Sequence, residues 1–482
     1  MSSTNFTIYY GSLVNPETLT SYHAILHCLL AVNPHGNIEW VVRDVPDSMV
    51  QATLLEQGCP DAEVVELKDG QFLMPGFVDT HTHAPQVPNL GSGQQYELLE
   101  WLKNLTFPME AKFRDTEFAR RTYQSVVHRI INQGTTTCCY YGTLHLDATK
   151  ELANIVYSLG QRAFVGKCNM DRNSEDYYIE PSWQSSINDT KALISHIQSF
   201  PPSPSGISLV KPILTPRFAI TCTSPLLSSL GELAASDPSL HIQTHISENL
   251  AEIEFTKSLF PDQESYAAVY DHFGLLRDNT VLAHAVHLNK DEIELIAERK
   301  SGISHCPTSN FNLNSGVAPI GQYLDKGIKV GLGTDVSGGF SPSILSCIRN
   351  ASIASKVVAM QNRGRNNHDH HLENGNALGH CKFADTQLSI ATLLYLATLG
   401  GAEVCMLSDQ VGSFVPGKSF DAIIVDVRDT AGNPAMWDFK ADTHDLTGQD
   451  ALRGMLQRFL FCGDDRNISD VFVQGRRIGG KA

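Results

Sequence analysis

Residues 74–86 read MPGFVDTHTHAPQ, and the rest of the chain is organised around them. An apolar run passes through Pro75 and Gly76 into Phe77 and Val78 and ends in Asp79-Thr80-His81-Thr82-His83. In an extended strand, residues i and i+2 point to the same side, so His81 and His83 present two imidazoles together. Two neutral imidazole nitrogens placed this way make half of a zinc site. Alone the pair is weak evidence, because two half-buried histidines at any strand end read the same. The metal reading needs further ligands at other strand ends.

Those ligands follow in order. His245 closes the run HIQTH and precedes Glu248 by three residues, His284 lies in VLAHAVHL, and Asp335 lies in VGLGTDVSGG after an apolar strand. Each histidine taken singly is more often a hydrogen-bonded structural residue than a ligand. Together, at the ends of different expected strands, they are hard to attribute to chance. His81, His83 and His245 are read as zinc ligands, with Asp335 as an oxygen ligand and base for a bound water. Zinc lowers the pKa of such a water to about 7. Glu248 need not touch the metal and can carry protons to a substrate nitrogen. His284 polarises the attacked centre or serves as a further ligand. His287 and His305 read as supporting or packing residues.

From about residue 76 to 400, strand-like runs alternate with amphipathic segments such as EFARRTYQSVVHRIINQG and NLAEIEFTKSLF. This alternation suggests a parallel (β/α)8 barrel, whose active site lies at the C-terminal strand ends. Both ends of the chain instead read as short strands and turns, with Gly417 and Gly475 where tight turns are needed. Residues 1–73 and 408–482 are therefore expected to build one small composite β domain, since each would be marginal alone. Residues 74–407 are expected to form the metal-binding, catalytic barrel. DTQLSIATLLYLATLGGAEVCML, 385–407, reads as a capped, buried helix ending at Gly400-Gly401. The Asn/Gly-rich stretch 361–380 reads as an exposed loop, its His368, His370 and His371 solvated.

Composition narrows the function. The 482 residues carry 36 basic and 52 acidic side chains, a net charge of −16, with no basic stripe. That argues against nucleic-acid and anionic-membrane partners. No basic, then apolar N-terminal stretch reads as a signal peptide, and no apolar run approaches the length of about 18 residues that spans a bilayer. Eleven cysteines without a CxxC suit reduced thiols in the cytoplasm.

PGFVDTHTH, HISE, AHAVH, SHCPTSN and GLGTD resemble the metal-dependent amidohydrolase superfamily over nearly the whole chain. Within it, HAPQ (83–86), LEWLKNLTFPMEAKF (99–113), KPILTPRFAI (211–220), HISEN and SHCPTSNFNLNSG (304–316) resemble the guanine deaminase family. The resemblance implies an amidohydrolase-type TIM-like barrel with a small composite β-sandwich. It implies zinc, one per chain, at His81, His83, His245 and Asp335, with His284 at metal and substrate. It implies guanine contacts from Gln86, Arg217 and Phe218, and proton shuttling by Glu248. Hydrolysis of guanine to xanthine and ammonia and a cytoplasmic homodimer come from the same source. Pro85 occupies a variable position of the HAxQ motif and puts nothing catalytic in doubt.

The residue chemistry runs parallel. Arg217 carries fixed donors suited to a carbonyl such as guanine O6, Gln86 both donates and accepts, and Phe218 offers a flat face, though a core phenylalanine reads alike. Some members of the superfamily bridge two metals with a carbamylated lysine. Lys211 lies six residues before Arg217, roughly 20 Å along a strand at about 3.3 Å per residue, so one metal is expected. The rivals are a zinc hydrolase of triazines or pterins, differing at Gln86 and Arg217, and a silent barrel, which would have eroded ligands. The HxE-PCxxC deaminase type is excluded by its missing motif.

Overall fold

The computed structural model describes residues 6–369, 383–437 and 448–481. The chain opens with β1 (Thr7–Thr18), β2 (Ser21–Val32), β3 (Ile38–Val42), β4 (Glu63–Glu66) and β5 (Gln71–Pro75). It continues through β6 (Phe77–His83), β7 (Thr135–Tyr141), β8 (Arg162–Gly166), β9 (Cys168–Asn169), β10 (Val210–Pro216) and β11 (His241–Ile246). Next come β12 (Thr280–His284), β13 (Gly302–His305) and β14 (Lys329–Leu332), and last β15 (Ala422–Asp426), β16 (Ile468–Val473) and β17 (Arg476–Gly479).

Eight of these strands form a parallel barrel in the order β14-β13-β12-β11-β10-β8-β7-β6, with helices between them. β6 and β7 are buried from end to end. Helices cover the outside of a parallel barrel and side chains fill its inside, so such strands read as continuous apolar or β-branched runs rather than alternating ones. The seam between β6 and β14 is closed at the C-terminal mouth. The Asp335 amide donates to the His81 carbonyl at 2.8 Å, and the Thr80 hydroxyl donates to the Leu332 carbonyl at 2.9 Å. The seam therefore fixes the first histidines against the last acid.

Both chain ends share one eight-stranded mixed sheet, β17-β16-β15-β5-β1-β2-β3, with β4 on β1. One face packs Tyr9, Leu13, Leu30, Phe414, Phe420 and Phe472 together. The other packs Ile8, Leu29 and Ala31 against Leu54 of the helix Val50–Glu56. This sheet is tied to the barrel by a buried ion pair, Arg162 of β8 with Asp421, at 2.8 Å from Nε to Oδ2. Gly475 turns β16 into β17 at φ +71°, and a side chain there would strike the Gly36 backbone.

Two expectations change. The stretch 385–407 is not one helix ending at Gly400-Gly401: Ile390–Ala397 stops at Thr398 (φ −132°, ψ −91°), and Leu399–Val404 restarts with both glycines inside it. The glycines allow close packing: a Cβ on Gly401 would lie 2.8 Å from Val78 Cβ, and one on Gly400 2.7 Å from the Val330 carbonyl. The expected loop at 361–380 is helical in its first part, where Ile344–Asp369 runs on through residues 361–369. His370 and His371 lie outside the described residues. Among the described residues every cysteine is a free thiol, all but Cys462 buried, and no helix is long and apolar enough to cross a membrane.

Candidate active site

At the C-terminal mouth of the barrel the structure brings His81, His83, His245, His284 and Asp335 together. Ligand atoms of His81, His245, His284 and Asp335 lie within 4.8 Å of one another. His83 joins them, its Nε2 3.2 Å from His245 Nε2 and 3.3 Å from Asp335 Oδ1. His81 Nε2 stands 3.1 Å from the same carboxylate oxygen.

The protonation pattern follows from the partners. His245 Nδ1 donates to the Arg217 carbonyl at 2.5 Å, which leaves a lone pair on Nε2 facing the cluster. His284 Nδ1 donates to Asn310 Oδ1 at 2.9 Å, and its buried Nε2 has no hydrogen-bond partner. Burial holds His81 and His245 below the usual imidazole pKa and takes His83 down to about 4, so all three stay neutral at neutral pH. Burial works against ionisation of Asp335 as well, but hydrogen bonds from His81 and His83 hold its carboxyl well below the usual range. His245 turns a lone pair to this point and Asp335 a carboxylate, and His81 and His83 present theirs once the Nε2 protons shared with Asp335 leave; such a donor set fits a divalent cation with nitrogen and oxygen preferences.

Backbone strain gathers here. Ser247 (φ +48°), His284 (+74°), Ala285 (+50°) and Asp335 (+44°) are non-glycine residues in left-handed conformation at or just past the ends of β11, β12 and β14. Such conformations cost about 1–3 kcal/mol each and persist where surrounding contacts over-determine them. Ala285 and Val286 donate backbone bonds to Ile246 and Ser247, which fixes one bend against the next.

Glu248 faces the cluster from the side. Its Oε1 accepts from Ser315 Oγ at 3.1 Å, and the Ser315 carbonyl accepts from His287 Nε2 at 2.7 Å, so His287 acts at one remove. Burial and then the Asp335 charge push the Glu248 carboxyl up to about 8. His305 points elsewhere, lining a small void against Ala351 and Ala354 of the outer helix layer. Lys211 pairs in register with Phe164 of β8, whose ring lies against His241 at the start of β11. It belongs to the N-terminal end of the barrel, away from the cluster.

A pocket opens beside the cluster, walled by Gln86, Arg217 and Phe218 and covered by Leu98, Trp101 and Leu102. A scan against protein families matches residues 72–478 to the amidohydrolase family. The chain belongs to the amidohydrolase family. Within it the chain groups with the guanine deaminases, and it is a hydrolase. It is 45% identical over 449 residues to a probable guanine deaminase of Schizosaccharomyces pombe, covering 92% of this chain and 79% of that one. It is 40% identical to the guanine deaminase of Dictyostelium discoideum, covering 98% of each. Among solved structures, guanine deaminase from C. acetobutylicum with bound guanine superposes with a TM-score of 0.82 at 36% identity, covering 98% of this chain and 100% of that one.

This amidohydrolase also places at its site residues that the sequence reading passed over. Glu110 is fully buried and takes both Arg217 amino groups, Nη1 at 2.7 Å and Nη2 at 3.1 Å. The same carboxylate accepts from Gln86 Nε2 at 2.8 Å and from the Tyr178 hydroxyl at 2.6 Å. Its signal was an acid inside the apolar run LTFPMEAKF. Asp79 accepts from the amides of His81 and Thr334 and so locks the first strand to the last. Glu252 accepts from the amides of Glu248 and Asn249 and fixes the turn that presents Glu248.

Proposed function

We propose that this chain hydrolyses guanine to xanthine and ammonia with one zinc ion held by His81, His83, His245 and Asp335. His284 lies at metal and substrate alike, and its unpartnered Nε2 supports that place. When bound, zinc supplies Lewis acidity and a water acidic enough to attack at neutral pH. The observation that carries the reading is the pocket wall beside this donor set. Once Glu110 has taken one N–H from each amino group, Arg217 keeps further donors for a carbonyl such as O6. Gln86 is oriented by its neighbours: Nε2 donates to Glu110 and Oε1 accepts from the Ser337 amide, leaving one donor and one lone pair for a purine edge. Phe218 supplies the flat face.

In this pose C2 and its amino group face the histidine cluster. Glu248, held protonated by burial, gives a proton to the adjacent ring nitrogen, and Asp335 accepts one from the attacking water. Water adds at C2, the proton held by Asp335 passes to the amino group, which leaves as ammonia, and Glu248 takes back a proton from the C2 hydroxyl as the carbonyl of xanthine forms. The domain division at 73/74 and 407/408, a cytoplasmic site and a homodimer belong to the same proposal: the first rests on the strand-and-turn pattern of both chain ends, the second on cysteine usage together with the resemblance, and the third on the resemblance alone.

Ammonia release from a panel of purines, cytosine, pterins and triazines, with zinc-loaded protein, tests the substrate. Guanine should exceed adenine by about 10⁴-fold or more, because adenine offers no O6 to the Arg217 donors that Glu110 leaves free and has no C2 amine. Comparable turnover of adenine or cytosine would end the reading.

A further inference from the structure

Glu110 converts a cationic pocket wall into a neutral one. Four donors converge on its carboxylate, two of them from Arg217, and the side chain is shut away from water. Burial opposes its ionisation, but the Arg217 charge and hydrogen bonds hold it below the usual carboxylate range. A buried guanidinium alone would draw any planar anion into the pocket, since charge is poorly screened there. Paired end-on with Glu110, it keeps its remaining N–H donors while its net charge is cancelled locally. Glu110 also ends the helix Phe107–Glu110, which follows the π-helical turn Leu102–Thr106. The segment that covers the pocket therefore carries the charge that neutralises its wall.

We propose that Glu110 is a specificity-determining residue: it positions Arg217 and Gln86 as neutral-ligand donors and discriminates against purine anions, the ionised product included. This rests on the guanine reading above. Xanthine loses a proton just above neutral pH, whereas guanine and hypoxanthine remain neutral further into the alkaline range. A wall without net charge releases xanthine as it ionises; a bare arginine would retain it.

The test compares binding of xanthine and hypoxanthine by calorimetry, from mildly acidic to mildly alkaline pH, in zinc-loaded wild type, Glu110→Gln and Glu110→Asp. On the alkaline side, Glu110→Gln should shift the xanthine-to-hypoxanthine affinity ratio toward xanthine by about tenfold or more, the scale of a close, weakly screened charge. Glu110→Asp keeps the charge and should keep the wild-type ratio, even if both ligands bind more weakly. If both ligands shift together in Glu110→Gln, Glu110 is only structural and the proposal falls. Should Glu110→Gln fail to fold, the wild type still decides: xanthine binding that tightens relative to hypoxanthine as pH rises overturns it. Guanine turnover by the wild type tests the functional reading separately, because these binding ratios need no turnover.

Discussion

Glu248 Oε2 stands 3.4 Å from His284 Nε2, so a carboxyl raised to about 8 faces an imidazole nitrogen without a hydrogen-bond partner. Glu248 is not needed to complete the donor set. Glu248→Gln should therefore retain its metal and lose about 10²–10⁴-fold in turnover. Metal analysis beside steady-state kinetics checks this; near-normal rates at full metal content would remove Glu248 from the proton path.

Metal stoichiometry follows from the position of Lys211. Its ammonium lies 6.0 Å from the Phe164 ring centre, and burial lowers its pKa there without bringing it to the cluster. Elemental analysis of active protein should give about one zinc per chain. Lys211→Met should keep that ratio and most of the activity. Two metals, with activity dependent on bicarbonate, would reverse the expectation.

Stability should fall as pH rises from about 4.5 to 7 through Glu252. Burial and then the Glu248 charge raise its carboxyl to about 7 in the folded state. The folded state thus binds a proton that the unfolded chain has already released, and rising pH favours unfolding across that window. Glu252→Gln can still accept from the Glu248 and Asn249 amides and meet the Tyr266 hydroxyl. Urea midpoints at several pH values should show a flatter profile for the variant than for wild type. Parallel profiles would show that Glu252 does not titrate there.

Asp421→Ala should destabilise the fold by about 3–5 kcal/mol, the scale of stranding one buried charge. Arg162 would lose its Nε and Nη2 contacts, and the Gln474 amide would lose its acceptor. Urea unfolding measures the loss, and a shift under about 1 kcal/mol would mean that water reaches Arg162.

The ligand positions were legible because strand-end histidines and acids stand out against continuous apolar and β-branched runs. His81, His83, His245, His284 and Asp335 needed only the barrel to bring them together. Glu110 was not legible in the same way: its partners Arg217 and Tyr178 are distant in sequence, and spacing along a helical segment says nothing of them. β2 falls inside the stretch 1–73 read as short strands, but its length of 12 residues comes from pairing with β1 rather than from any pattern in SYHAILHCLLAV. The break at Thr398 was hidden because Leu399–Val404 is helical in pattern; the closeness of Val78 and Val330 to Gly401 and Gly400 is a tertiary fact.

The pairing of β5 with β15, Leu73 opposite Ile424, has a consequence for synthesis. While the ribosome is still making the barrel, β5 emerges with its partner hundreds of residues from being translated. Contacts so remote in sequence form late, and until then the β5 edge is open to pairing with other chains. A ribosome stalled after β14 and before β15 would release a chain with every barrel strand but an unfinished end sheet, a ready substrate for chaperones and proteases.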